Sequence, residues 1–175
     1  MRLPFILFMT LILCACAAKV PTTTPEAMPP KTQSETKPQL ELNKIGKIIS
    51  TAKCESTVPI KREPMPNAHN PKLMDEIQVL TCPGFEVSTY FAKYFSPPKE
   101  FPMRLILQAK DKRIPNYASV GVQSKEIIRA LGKPLRLTDA AIIYQADIEG
   151  LAGDTITFKI ANGVVQQIQW DWSFP

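Results

Sequence analysis

Few side chains in this chain could do covalent or acid–base chemistry: four cysteines, one histidine and a loose group of acids beside two glycines. His69 lies between Ala68 and Asn70, in a stretch broken by Pro64, Pro66 and Pro71. As a general base it needs a nucleophile and an orienting carboxylate within hydrogen-bond reach. No serine sits in a nucleophile-elbow pattern, so His69 reads as an exposed loop residue. Asp75 and Glu86 are the acids that an unrecognised hydrolytic site could recruit beside it. Two thiols and His69 give three metal ligands without finger-like spacing. Asp147, Glu149 and Asp154 surround Gly150 and Gly153. They offer too few oxygens at too loose a spacing for calcium and read as a solvated hairpin loop. Seven glycines build no phosphate-cradling loop. The expectation is a protein with no catalytic residue, no metal and no cofactor.

The cysteines point instead to an address. Arg2 is followed by an apolar run, Leu3 to Leu13, broken only by Pro4 and Thr10, and then by small residues. A positive start, an apolar middle and a small-residue cut site make an export signal, and the run is short for a membrane span. The stretch Leu13-Cys14-Ala15-Cys16 resembles the lipobox of bacterial lipoproteins. In that family the chain is cut before the cysteine, whose sulfur then carries a diacylglycerol. The resemblance implies lipidation of Cys16 after removal of residues 1–15, and Ala17 behind it implies sorting to the outer membrane. Ordinary signal cleavage after Ala17 or Ala18 is the competing reading. Cys54 and Cys82 remain, an even pair in an oxidising compartment, and are expected to form one disulfide. An exported free thiol tends to oxidise, which argues against a catalytic cysteine.

The formal net charge is +5, one unit of it from Arg2. Lys110, Lys112 and Arg113 form one basic group, and Arg129, Lys133 and Arg136 another. Each is a solvated face or a weak attractor of anionic lipid headgroups. Export, and the lack of a basic-aromatic motif, argue against a nucleic-acid partner. The expected contacts are an envelope protein and the membrane, the latter through Cys16.

Pro21, Pro25, Pro29, Pro30 and Pro38 punctuate a polar stretch with almost nothing to bury. Residues 16–40 are therefore read as a disordered tether, reaching roughly 70 Å at full polyproline extension. Residues 41–175 form one α+β domain, with a β-rich, disulfide-bearing half (41–115) and a helix-plus-sheet half (116–175). The spacing of Leu42, Ile45, Ile48 and Ile49 predicts a helix over 40–52, which Gly46 weakens. Strands are predicted over 54–60, 74–82, 85–94 and 103–109. Prolines mark 62–71 and 96–102 as loops. Phe85, Val87, Thr89 and Phe91 are expected on one strand face. Ser124 can cap a helix starting at Lys125, with Ile127, Ile128 and Leu131 as its apolar face, stopped by Gly132 and Pro134. Strands over 141–146, 155–160 and 164–174 follow.

Trp170, Trp172 and Phe174 share a face of the last strand and are read as core beneath the Ile127 helix. A concave aromatic surface that grips a partner is the alternative. Asn162-Gly163 invites a two-residue hairpin loop. A three-residue loop, Ala161 to Gly163, instead sets Ile160 opposite Val164 and gathers the apolar residues on one face, so the longer loop is expected. Gly163 is then expected at positive φ.

The segment Val120-Gly121-Val122-Gln123-Ser124, with Ile127, Leu131-Gly132-Lys133-Pro134, Tyr144, Thr157-Phe158, Asn162-Gly163-Val164-Val165 and Ile168, resembles the small outer-membrane assembly lipoproteins of the BamE type. Their fold is similar to that of β-lactamase inhibitor protein, helices packed on a three-stranded antiparallel sheet. The likeness covers about residues 118–174, and the first half has no counterpart in that family. It implies an α+β fold, mostly antiparallel sheet with short helices, whose C-terminal helix is followed by three antiparallel strands. As a whole the chain looks like a proteobacterial lipoprotein built on this module. The expected function is that of a non-catalytic envelope lipoprotein, a protein-binding or assembly module; inhibition of a lysozyme, protease or other envelope-directed enzyme is the alternative.

Overall fold

A computed structural model describes residues 37–52, 54, 60–67, 69–146 and 153–173. The export signal, Cys14, Cys16, nearly all of the tether, Asp147, Glu149 and Phe174 lie outside the described residues. No described helix is long and apolar enough to cross a membrane.

The described chain opens with helix α1, Lys37–Ser50. Leu42 and Ile49 are fully buried and Ile45 packs against them, while Ile48 points to solvent. Gly46 is not a weakness of this helix. A Cβ there would meet the indole of Trp170 at 2.6–2.8 Å, so glycine lets the helix backbone lie directly on that ring.

Among the described residues eight strands follow in one antiparallel sheet: β1 Lys61–Pro66, β2 Met74–Cys82, β3 Phe85–Ala92, β4 Lys99–Leu107, β5 Arg136–Leu137, β6 Ala141–Gln145, β7 Thr155–Ala161 and β8 Val164–Asp171. Their spatial order is β1-β2-β3-β4-β8-β7-β6-β5. The two halves are thus one sheet, joined where Leu105 faces Trp170 and Leu107 faces Ile168. Helix α2, Ser124–Leu131, lies mid-chain between β4 and β5. Both helices contribute to one buried cluster with Leu105, Ile142, Tyr144, Ile156, Phe158, Ile168 and Trp170. Two turns of helix do not persist alone in water, so α2 owes its existence to Ile127 and Leu131, both buried in that cluster.

The α+β class with a mainly antiparallel sheet matches expectation, but its finer layout does not. The helices stand at the start of the described chain and in its middle, and four strands follow α2 rather than three. The extra one, β5, is two residues long and sits just after Pro134, where periodicity has no length to work on. The proline-rich stretch expected as a loop over 62–71 holds β1. Pro64 and Pro66 are two apart, so their missing N–H groups lie on the same side, and on an outermost strand that side can face away from the ladder. Likewise β4 begins at Lys99 and includes Pro102, at a bulge where Ser88 pairs with Arg104 but Thr89 with Pro102. Among the described residues no strand precedes Lys61: Ile60 and Cys54 are irregular, and 55–59 are outside the described residues. On β3 the buried positions are Val87, then Tyr90 and Ala92. Core packing passes from one face to the other along this strand, which simple alternation cannot anticipate. Ser124 opens α2 as its first residue instead of capping it; Gln123 holds the cap position and makes no side-chain bond.

The β7–β8 hairpin corrects the expected register. Asn162 (φ 52°) and Gly163 (φ 75°) form a two-residue loop, with Ala161 opposite Val164 and Ile160 opposite Val165. The turn dipeptide, not the apolar pattern, sets the pairing next to the loop. A bulge at Gln166 then advances the register, so Phe158 faces Ile168 and Ile156 faces Trp170. Both demands are met because one extra residue changes the face. Gly163 keeps its expected positive φ, and Gly163→Ala should lower stability by about 1 kcal/mol in urea unfolding, since a Cβ disfavours that region. An unchanged midpoint would show that the turn tolerates the strain.

Candidate interaction surface

Each residue that the sequence marked for chemistry has a definite place, apart from Cys16 and the acids at 147 and 149, which lie outside the described residues. Cys54 and Cys82 are bonded, Cα atoms 5.9 Å apart, tying the segment after α1 to the end of β2. Closing a loop of this length should contribute about 3–4 kcal/mol by chain entropy, less any native strain. Reduction is expected to lower the melting midpoint and to raise hydrogen exchange in β2 and β3 above that in β7 and β8. Equal exchange in both pairs would count against that local role.

His69 is exposed, and its backbone N–H donates to Asn67 Oδ1 at 2.9 Å. Glu86 takes a bond from the Thr81 hydroxyl at 3.2 Å. Asp75 is fully buried and forms no site with either. It accepts from the Tyr90 hydroxyl, from Asn67 Nδ2 at 2.6 Å and from the Lys93 backbone N–H at 2.9 Å. Burial pushes its pKa up, but those three donors outweigh it and hold the carboxyl below its ordinary value. A carboxylate already saturated with donors and closed to solvent is a structural hub, not a general base. Asp154 is also buried and accepts from the Ser173 backbone N–H at 2.8 Å, so it belongs to the fold.

Trp170 and Trp172 lie in the core, as expected, but the helix lying on them is α1 rather than the Ile127 helix, through Gly46 and Asn43. The Trp172 indole donates to Asn43 Oδ1 at 2.8 Å, and Asn43 Nδ2 donates to the Ala146 carbonyl at 3.0 Å. Gln39 Nε2 reaches the Leu131 carbonyl at the end of α2. These bonds pin α1 to the C-terminal half. Tyr144 donates to the Gly132 carbonyl at 3.0 Å, and burial pushes its phenol up to about 12.

With the aromatic face buried, most large apolar side chains still open to a partner are at the ends and edges of the sheet. Register places Leu137 opposite Ile142 and Arg136 opposite Ile143. Ile142 is wholly buried on the helix side, so Leu137, and Leu135 two residues before it, continue the core face beyond the helices. They are left 51% (Leu135) and 57% (Leu137) exposed, at the outermost strand of the sheet. Arg129, Lys133 and Arg136 are exposed close to it in the chain and have no ion pair among the described residues. A shallow cavity of about 310 Å³ is lined by Tyr117, Glu126, Arg129 and Ala130. Charge grouping along the sequence marks these three cations. It does not mark the leucines, although Leu-Arg-Leu alternates as a strand does; the run is too short to stand out from a loop.

No protein family, curated protein or solved structure gives a significant match to the chain.

Proposed function

We propose that the protein is a non-catalytic, lipid-anchored envelope protein that captures a segment of a partner protein along β5. The carrying observation is the pair Leu135 and Leu137, exposed apolar residues at one edge of the sheet, Leu137 on β5 and Leu135 in the bend just before it. An edge strand offers unpaired backbone groups, and an extended segment can add there with its own side chains against the leucines. Arg129, Lys133 and Arg136, without an ion pair among the described residues, favour a partner segment carrying acidic residues and would steer its approach. The anchor in this reading is Cys16, in the outer membrane facing the periplasm. Its support is the lipobox-like stretch and the disulfide, which suits an oxidising compartment. The resemblance of residues 118–174 to BamE-type lipoproteins belongs to the same proposal and rests on the sequence motifs alone.

A photo-crosslinking residue at position 137 of the full chain, in intact cells, tests the binding reading. A discrete protein adduct is expected there and not at Lys159, which is exposed on the opposite face. Leu135→Asp, with the crosslinking residue kept at 137, should abolish the adduct while leaving the stability within about 0.5 kcal/mol of the parent, since Leu135 is not buried. Identical adducts at both positions, or none at 137, would sink the proposal. Cys16→Ser should release the protein from the membrane fraction; lipid still attached to that variant would refute the anchor.

A further inference from the structure

The opposite end of the sheet carries a second surface. The β3–β4 connection, residues 93–98, reads Lys-Tyr-Phe-Ser-Pro-Pro and is followed by Lys99. Tyr94 is 54% exposed and Phe95 38% exposed. Such rings at a loop end normally reduce their exposure by folding back. Here the loop is held out from beneath: the Lys93 backbone N–H is fixed on Asp75, the same carboxylate that holds Tyr90 and Asn67. Phe101 stands between Tyr90 and Phe95, ring centroids 6.4 and 6.3 Å away, so an aromatic row runs from the buried hub to the surface. Lys99 Nζ sits 4.8 Å over the Phe95 ring.

Each of the two loop stretches at this tip carries charge of one sign. The residues from 67 to 73 and from 93 to 99 include Lys72, Lys93, Lys99 and His69 but no acid. Glu100 follows, but alternation sets it on the strand face opposite to Lys99 and Phe101. The acids at the start of β2 are already used: Asp75 by its three donors, and Glu76 by Lys93 at 2.7 Å and Arg62 at 3.6 Å. Lys72 and Lys99 have no ion pair among the described residues. The two exposed rings lie beside them at a hairpin end. Tyrosine and phenylalanine favour the membrane–water interface, and lysines just behind them favour anionic headgroups.

We propose that the Tyr94–Phe95 tip docks onto an anionic lipid surface, with Lys72 and Lys99 meeting the headgroups. The contact is separate from β5 and does not depend on what binds there. The test uses the full chain with Cys16→Ser, so that no acyl group holds it, and with Tyr94→Trp as a local reporter. Trp170 and Trp172 are buried and serve as a constant background. Vesicles of phosphatidylglycerol and phosphatidylcholine carrying brominated chains should shift the new emission to the blue and quench it. Pure phosphatidylcholine vesicles should do neither. Lys72→Glu with Lys99→Glu should weaken the partitioning by about 25-fold or more, since each nearby basic residue is worth roughly fivefold. Phe95→Trp gives an independent reporter should the first variant misfold. No quenching of either reporter by anionic vesicles overturns the proposal, as does equal quenching by neutral ones. A protein adduct from a crosslinker at position 94, without vesicle contact, assigns the tip to a protein partner and likewise overturns it.

Discussion

Replacing Asp75 with alanine should remove about 3–5 kcal/mol of stability, because three donors lose a charged acceptor inside the protein. The Tyr90 hydroxyl and the Asn67 amide can turn toward other acceptors. The Lys93 N–H cannot, so the 93–98 loop should loosen first. Asp75→Asn keeps the shape and separates charge from volume. The sign of the pH dependence follows from the depressed pKa of the folded state. The carboxylate's contribution is complete above the unfolded aspartate value, about 3.9, and is lost as pH falls through the folded value. Wild type should therefore weaken below about pH 4, while Asp75→Asn, already weaker at neutral pH, should lose less over the same window. Glu76 and Asp111 are also depressed, by Lys93 and by Arg113, and leave a residual slope of the same sign in both proteins. Parallel acid-unfolding curves for the two proteins would show that Asp75 is not the hub described.

Trp170→Ala should cost a similar amount, about 3–5 kcal/mol, by emptying the place where the sheet's two halves and α1 meet. The informative partner is Gly46→Ala. In an exposed helix that change gains about 1 kcal/mol. Here its Cβ would come within 2.6 Å of the indole, and overpacking of this kind typically costs about 1–3 kcal/mol. A net loss is expected. Adding Trp170→Leu should make the same alanine neutral or favourable, a coupling that a double-mutant cycle in urea reads directly. Gly46→Ala proving stabilising in the wild-type background would show that α1 does not rest on that ring.

Several elements are legible in the sequence because they need only neighbours along the chain. The α2 stop at Gly132 and the Asn162-Gly163 turn are backbone demands of single residues. The buried tryptophans follow from alternation on a half-covered sheet. The disulfide pairing follows from counting the thiols left once an export signal is expected to carry off Cys14 and lipid to occupy Cys16. Sequence reasoning fails where a partner strand changes the rule. Pro64 and Pro66 look like breakers until β1 is known to be an edge. The bulges at Gln166 and beside Pro102 add a residue against another strand, and no residue type announces them.

The candidate surfaces divide in the same way. Their charges can be read from the sequence: Arg129, Lys133 and Arg136, and the acid-free stretches around Lys72 and Lys99. So can an apolar repeat able to build a core. Which apolar residues that core leaves uncovered is decided only by tertiary structure. Leu135 and Leu137 are no more polar or apolar than Leu105 and Leu107, and each pair is spaced as on one strand face. Burial depends on whether a helix reaches over the position, and α1 and α2 cover β4 and β6 but not the outermost strand. Asp75 shows the converse. A charged residue on an alternating strand reads as solvent-facing, yet donors from Asn67 before it and from Tyr90 and Lys93 at the end of β3 close over it. Only the fold brings those together.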